Sequence, residues 1–140
     1  MTDKTTRFGI SLSSELLRQF DKHIARHHYT NRSEAIRDLI RQTLVEEEWS
    51  ESEHEVMGTV TLVFDHHIHD LSKRLTNIQH DFAERIVSTT HVHLDHDNCL
   101  EVLIVRGPGR EIGDLASRIK CIRGVKHATL SMTTTGRSLD

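Results

Sequence analysis

Two imidazoles and a thiol sit close together in His91-Val92-His93-Leu94-Asp95-His96-Asp97-Asn98-Cys99. On a strand, side chains repeat every two residues, so His91 and His93 share a face. Asp95 to Asn98 carries no apolar residue, and Asp and Asn are turn formers, so the chain is expected to reverse there. Leu100 to Val105 reads as the returning strand. With an odd-length loop such as Asp95–Asp97, Cys99 falls opposite His93 on the same face. Two nitrogens and one sulfur then converge, a donor set that suits transition metals rather than Mg or Ca. It is a metal site lacking one ligand. The plainer reading is coincidence in a chain with twelve histidines, with Cys99 acting as a small buried hydrophobe. That reading does not account for all three donors meeting on one face.

The elements that must hold these donors follow from hydrophobic periodicity. Val60, Leu62 and Phe64 alternate as a strand. Ile68, Leu71, Leu75, Ile78 and Phe82 then recur at spacings of three and four, predicting an amphipathic helix. The hairpin comes next, and Gly107-Pro108-Gly109 marks a turn. Ile112, Leu115, Ala116, Ile119 and Ile122 mark a second helix, ended by Gly124. Val125 to Met132 is a last strand, with Ala128, Leu130 and Met132 on one face. The order is βαββαβ, a ferredoxin-like (ACT-like) split unit.

Upstream, Phe8, Ile10 and Leu12 alternate with Arg7, Gly9 and Ser11, predicting a half-buried strand. Ser13 can cap a helix running to about His27 with Leu16, Leu17, Phe20 and Ile24 on one side. Asn31-Arg32-Ser33-Glu34 has capping-box spacing and opens a second helix with Ala35, Ile36, Leu39, Ile40, Thr43 and Leu44. Some 45 residues with one strand cannot close a core alone, and the strand has two free edges. Pairing with a second copy solves both problems and gives a two-stranded ribbon of a size to enter the DNA major groove. Arg7, Gly9 and Ser11 would then face base edges. Asn31 and Arg32, where the second helix begins, would meet a phosphate. The acidic run Glu46–Glu53 reads as helix end and solvated linker. The expected domains are therefore residues 1–48, a linker over 49–55, and residues 56–140.

Charge supports this division. The chain's net charge is −3, but residues 1–45 hold eight Lys/Arg against five Asp/Glu, and the remainder ten against sixteen. A basic piece suits nucleic acid and an acidic one a cation. There is no run that could span a bilayer, and no charged-then-apolar leader. Two cysteines make no disulfide framework, so a reducing cytoplasm is expected.

Residues 6–45 resemble a ribbon-helix-helix DNA-binding domain, with Asn31-Arg32-Ser33-Glu34-Ala35-Ile36-Arg37-Asp38 as its second-helix motif. Followed by βαββαβ with His-Val-His and Cys, the chain resembles the nickel-responsive transcriptional regulator family (NikR-type) from Arg7 to about Met132. The resemblance implies one Ni(II) per subunit, held by His91, His93, Cys99 and His80 of the partner subunit. It implies a homotetramer, a dimer of dimers, on a palindromic operator, with nickel uptake repressed when nickel is plentiful. It also implies a second cation, often K+ in the family, at Glu34 and Asp38. Three imidazoles and a thiolate in a plane favour Ni(II) or Cu(II) over Zn(II).

Three departures from the family stand out. Gly9 and Ser11 replace the usual ribbon threonines. Ile68 and His69 stand where relatives can carry a Lys-Arg pair. The surplus His66, His67 and His69 offer a weaker auxiliary metal site or solvated surface residues. The alternatives are a regulator answering to copper, cobalt or a small organic ligand. A metalloenzyme is not expected, since four protein ligands leave no open coordination position.

Overall fold

The computed structural model describes residues 4–51 and 53–139. Residues 1–3, 52 and 140, which fall in the expected DNA-binding domain, linker and metal-binding domain, lie outside that range. The described elements are α1 (Ser14–Arg26), α2 (Arg32–Ser50), β1 (Glu55–Asp65), α3 (Leu71–Asp81), β2 (Ile86–His93), β3 (Asn98–Pro108), α4 (Gly109–Lys120) and β4 (Val125–Thr133). They fall into two compact units, Met1–Ile40 and Arg41–Asp140. No helix among the described residues is long and apolar enough to cross a membrane.

In the first unit both helix starts are capped as the sequence predicts. Ser13 Oγ accepts from the Leu16 N–H at 3.2 Å, and Glu15 lies in the first turn where the helix dipole favours a carboxylate. Asn31 Oδ1 accepts from the Glu34 N–H at 2.9 Å. The return half of the expected capping box is replaced: the Glu34 carboxylate pairs with Arg37 at 2.7 Å. Residues 6–12 form no strand and no helix. A strand exists by its ladder hydrogen bonds, and no described segment of one chain pairs with this one. Phe8 and Ile10 are accordingly 70% and 56% exposed rather than half-buried. Ile10, Leu12, Leu17, Phe20 and Ile36 nonetheless line one shared apolar depression.

The second unit is a four-stranded antiparallel sheet in the order β2-β3-β1-β4, the predicted βαββαβ arrangement. Val56, Val60, Leu62 and Phe64 of β1 and Leu103 and Val105 of β3 are buried beneath Leu71 and Leu75 of α3 and Ile112, Leu115 and Ile119 of α4. Ala128, Leu130 and Met132 pair with Leu62, Val60 and Gly58, so they share that face as expected.

Several boundaries differ from the periodicity. Asp70 takes a left-handed φ of 63°, so Ile68 belongs to the turn before α3. Strand β3 continues through Gly107 and Pro108 directly into α4, leaving no free turn. Helix α4 stops at Lys120, and Ile122 packs on the core from outside it. The largest correction concerns the acidic run. Helix α2 continues through Glu46–Ser50, Val45 and Glu48 are buried, and the Trp49 indole N–H donates to the Thr133 carbonyl at 2.8 Å. Val45 and Trp49 are four residues apart and so share a helix face, and Trp49 packs against the core.

Candidate metal centre

The β2–β3 hairpin is set by Asp95. Its carboxylate accepts from the backbone N–H groups of Asp97 (2.9 Å) and Asn98 (2.8 Å) and from the Asn98 side-chain amide (2.9 and 3.0 Å). These donors hold its pKa down at about 2. With Leu94 N–H on the Asn98 carbonyl at 2.9 Å, the loop is the odd-length Asp95–Asp97 reversal the sequence predicts. His93 then pairs with Cys99 and His91 with Glu101.

Cys99 is fully buried, and its Sγ lies 3.4 Å from His93 Nδ1 and 3.2 Å from His66 Nδ1. An ion with bonds of about 2.3 Å to sulfur and about 2.0 Å to nitrogen separates those donors by about 3.1 Å at a right angle and about 3.5 Å in a tetrahedron. Both observed distances fit around one ion without backbone movement. Burial pushes the Cys99 thiol up, and the carboxylates of Asp95, Glu101 and Asp65 add to that. The donor set accordingly welcomes a cation that would carry the negative charge of a thiolate.

His91 stands beside this group rather than in it. Its ring is 5.2 Å from that of His93, edge-on to Phe64 at 5.9 Å, and its Nδ1 is 3.8 Å from Glu101 Oε2. Glu101 is buried and accepts from the Gln79 amide at 2.7 Å. A carboxylate behind an imidazole is the usual way a metal-binding histidine is oriented. His80 lies in the last turn of α3, exposed, lining a depression with Phe82, Arg85 and Glu111. It is not among the donors gathered at its own chain's Cys99.

The three surplus histidines separate. His66 joins Cys99, His67 turns toward Asp97 at 3.4 Å, and His69 points to solvent beside Asp70. Sequence reasoning missed the place of His66 because it depends on the β1–β3 register. Phe64 pairs with Cys99 and Asp65 with Asn98, which sets residue 66 next to the thiol.

In the first unit, Arg7, Gly9 and Ser11 are exposed along the segment before α1. Arg32 is held by Asp21 through two hydrogen bonds of 2.9 Å. The two carboxylates expected to share a cation are each engaged, Glu34 with Arg37 and Asp38 with the Tyr29 hydroxyl.

Comparison with known proteins covers both units. Residues 6–47 match the model of the ribbon-helix-helix protein, copG family, and residues 57–133 match the NikR C terminal nickel binding domain. A nickel-responsive regulator of Nitratidesulfovibrio vulgaris (strain DP4) is 56% identical over 136 residues, 97% of this chain and 98% of that one. Counterparts of the same name from Geotalea uraniireducens and Solibacter usitatus are 55% and 54% identical, covering 97% and 96% of this chain and 98% and 96% of theirs. An uncharacterized protein of Thermotoga maritima shares the fold alone: TM-score 0.52 at 16% identity, over 57% of this chain and 99% of that one.

Proposed function

The chain belongs to the family of nickel-responsive, ribbon-helix-helix DNA-binding regulators, and from that premise we propose that it represses nickel-uptake genes when Ni(II) is bound. One Ni(II) per subunit is held by His91, His93, Cys99 and His80 of the partner subunit. The observation that carries this reading is the pairing of His93 with Cys99, 3.4 Å between Nδ1 and Sγ, within the stretch that matches a nickel-binding domain. His91 lies one strand repeat away with Glu101 behind it, its ring 5.2 Å from that of His93. His80 is exposed and apart from its own chain's donors, which supports its use by another subunit.

The assembly proposed is a homotetramer, two ribbon dimers and a core of four metal-binding domains, working in the cytoplasm. Residues 1–48 form the DNA-binding domain. Arg7, Gly9 and Ser11 of each paired ribbon read base edges of a palindromic operator, and Asn31 and Arg32 contact its backbone. Gly9 offers no side chain, so readout falls mainly on Arg7 and Ser11. Bound Ni(II) supplies a link between subunits, and its preference for one arrangement of the ribbons is the switch. A K+ ion at Glu34 and Asp38 is a further part of the proposal. It requires Arg37 and Tyr29 to yield those carboxylates.

The test is selection of duplex DNA from a random pool by the full-length protein, with and without Ni(II). A palindromic sequence enriched only with Ni(II), and not by His93→Ala, supports the proposal. Equal enrichment without metal contradicts it and favours the organic-ligand reading. Enrichment by Cu(II) or Co(II) alone assigns a different metal.

A further inference from the structure

Glu48 is a buried carboxylate to which the nickel-binding and DNA-binding readings give no role. It lies in the last turn of α2 and is only 7% exposed. Burying a carboxylate is costly unless hydrogen bonds replace the lost water. Its partner comes from the segment after β4, where the Ser138 hydroxyl donates to Glu48 Oε1. That bond holds the carboxyl below the usual glutamate range against the effect of burial, and the Thr134 hydroxyl and His54 ring act in the same direction. The other oxygen, Oε2, is buried without a hydrogen-bond partner among the described residues. Loss of the Ser138 hydroxyl would therefore bring the carboxylate closer to the full cost of its burial.

The segment that carries Ser138 makes a turn of its own. Gly136 takes a left-handed φ of 78°, and its N–H donates to Thr134 Oγ1 at 3.1 Å. The Leu139 N–H donates to the Gly136 carbonyl at 3.4 Å. Arg137 supplies a second foot: its Nη1 is 3.6 Å from Glu55 Oε2, and Glu55 also holds Arg106 at 3.0 and 3.1 Å. Glu55 is the first residue of β1. Residues 134–139 thus tie the end of α2 to the start of β1, next to the Trp49 bond on Thr133. Helix α2 begins at Arg32 in the first unit and ends under this tie in the second.

We propose that residues 134–139 are a strap that fixes the end of α2, and that the strap sets how fully metal binding is passed along that helix. The second half of this inference rests on the nickel-dependent DNA-binding reading. A helix can carry a displacement from one end to the other only where its end is held. Both feet of the strap use exposed residues, Arg137 and Ser138, so it can open without disturbing the apolar core. The Arg137 pair lies in solvent and contributes little; the bond to buried Glu48 is the stronger foot.

The test is native-state hydrogen exchange of the full-length chain at the amides of residues 47–51. It is paired with the ratio of random-pool duplex DNA retained with Ni(II) to that retained without. Ser138→Ala is expected to speed exchange at those amides about tenfold, as befits a buried charged group losing its partner. Exchange in α4 and the thiolate-to-nickel absorption should stay as they are. The Ni(II)-dependent ratio should fall by about 2–30-fold, the range open to residues that modulate coupling without touching either ligand. Ser138→Thr, which retains the hydroxyl, is expected to restore both readouts. Unchanged exchange in Ser138→Ala overturns the strap, and so does an equal acceleration in α4, which would mark general destabilisation. Faster exchange at residues 47–51 with an unaltered ratio overturns its part in coupling. If the unaltered protein retains DNA equally with and without Ni(II), the regulator reading and the coupling fail together, while the exchange difference still decides the strap.

Discussion

At the residue scale, the centre depends on groups that do not themselves donate to Cys99. Glu101 is buried, fixed by Gln79 and placed behind His91. Removing an orienting carboxylate typically costs a metal site about 10–100-fold in affinity. Glu101→Ala is therefore expected to weaken Ni(II) binding by about that factor, in competition with a chelator, while the thiolate absorption stays. Asp95 acts on the loop instead. Its folded pKa of about 2 lies below the ordinary aspartate value of about 3.9. It therefore contributes stability that is present in full above the ordinary value and is lost as pH falls through about 2. The Asn98 side-chain amide resonance is expected to keep its hydrogen-bonded shift down to about pH 2, and to lose it at neutral pH in Asp95→Ala. The facing of His93 and Cys99 was legible in the sequence because strand period and turn chemistry are local. His66 was not, because its place comes from a β1–β3 register formed across more than thirty residues.

Elements show the same division between local and distant causes. The alternation of β1 and the stripes of α3 and α4 were readable because each buries one face against a single core. Asn31 and Ser13 mark their helices for a similarly local reason. The end of α2 escaped prediction: Glu46-Glu47-Glu48-Trp49 has the composition of a solvated linker, and only the tertiary structure reveals where Trp49 goes. Its indole N–H reaches Thr133 across the sheet, and its ring lies where a Cβ on Gly58 would come within 3.1 Å of it. Trp49→Ala is expected to destabilise the second unit by about 2–3 kcal/mol, somewhat below the cost of emptying a fully buried aromatic site. Denaturant unfolding followed by far-UV circular dichroism measures it. No change in midpoint would return this segment to the status of a linker.

For the whole molecule, the apolar side chains left in solvent by one chain are the best guide to assembly. Phe8, Ile10 and Leu12 alternate along a segment with no ladder partner among the described residues, and ribbon pairing would cover them. Ile10→Glu is expected to shift the oligomer toward smaller species in sedimentation and to lower the melting temperature more at low protein concentration than at high. An unaltered distribution would show that the ribbon is not what joins the subunits. The central claim is that Cys99 and its histidines hold nickel. Titration of the metal-free protein with Ni(II), followed by absorption and bound stoichiometry, tests it most directly. The account predicts one sulfur-ligated nickel per chain with a thiolate charge-transfer band and a square-planar pattern, both lost in Cys99→Ala. A purely octahedral spectrum without sulfur, or no stoichiometric binding, would contradict it.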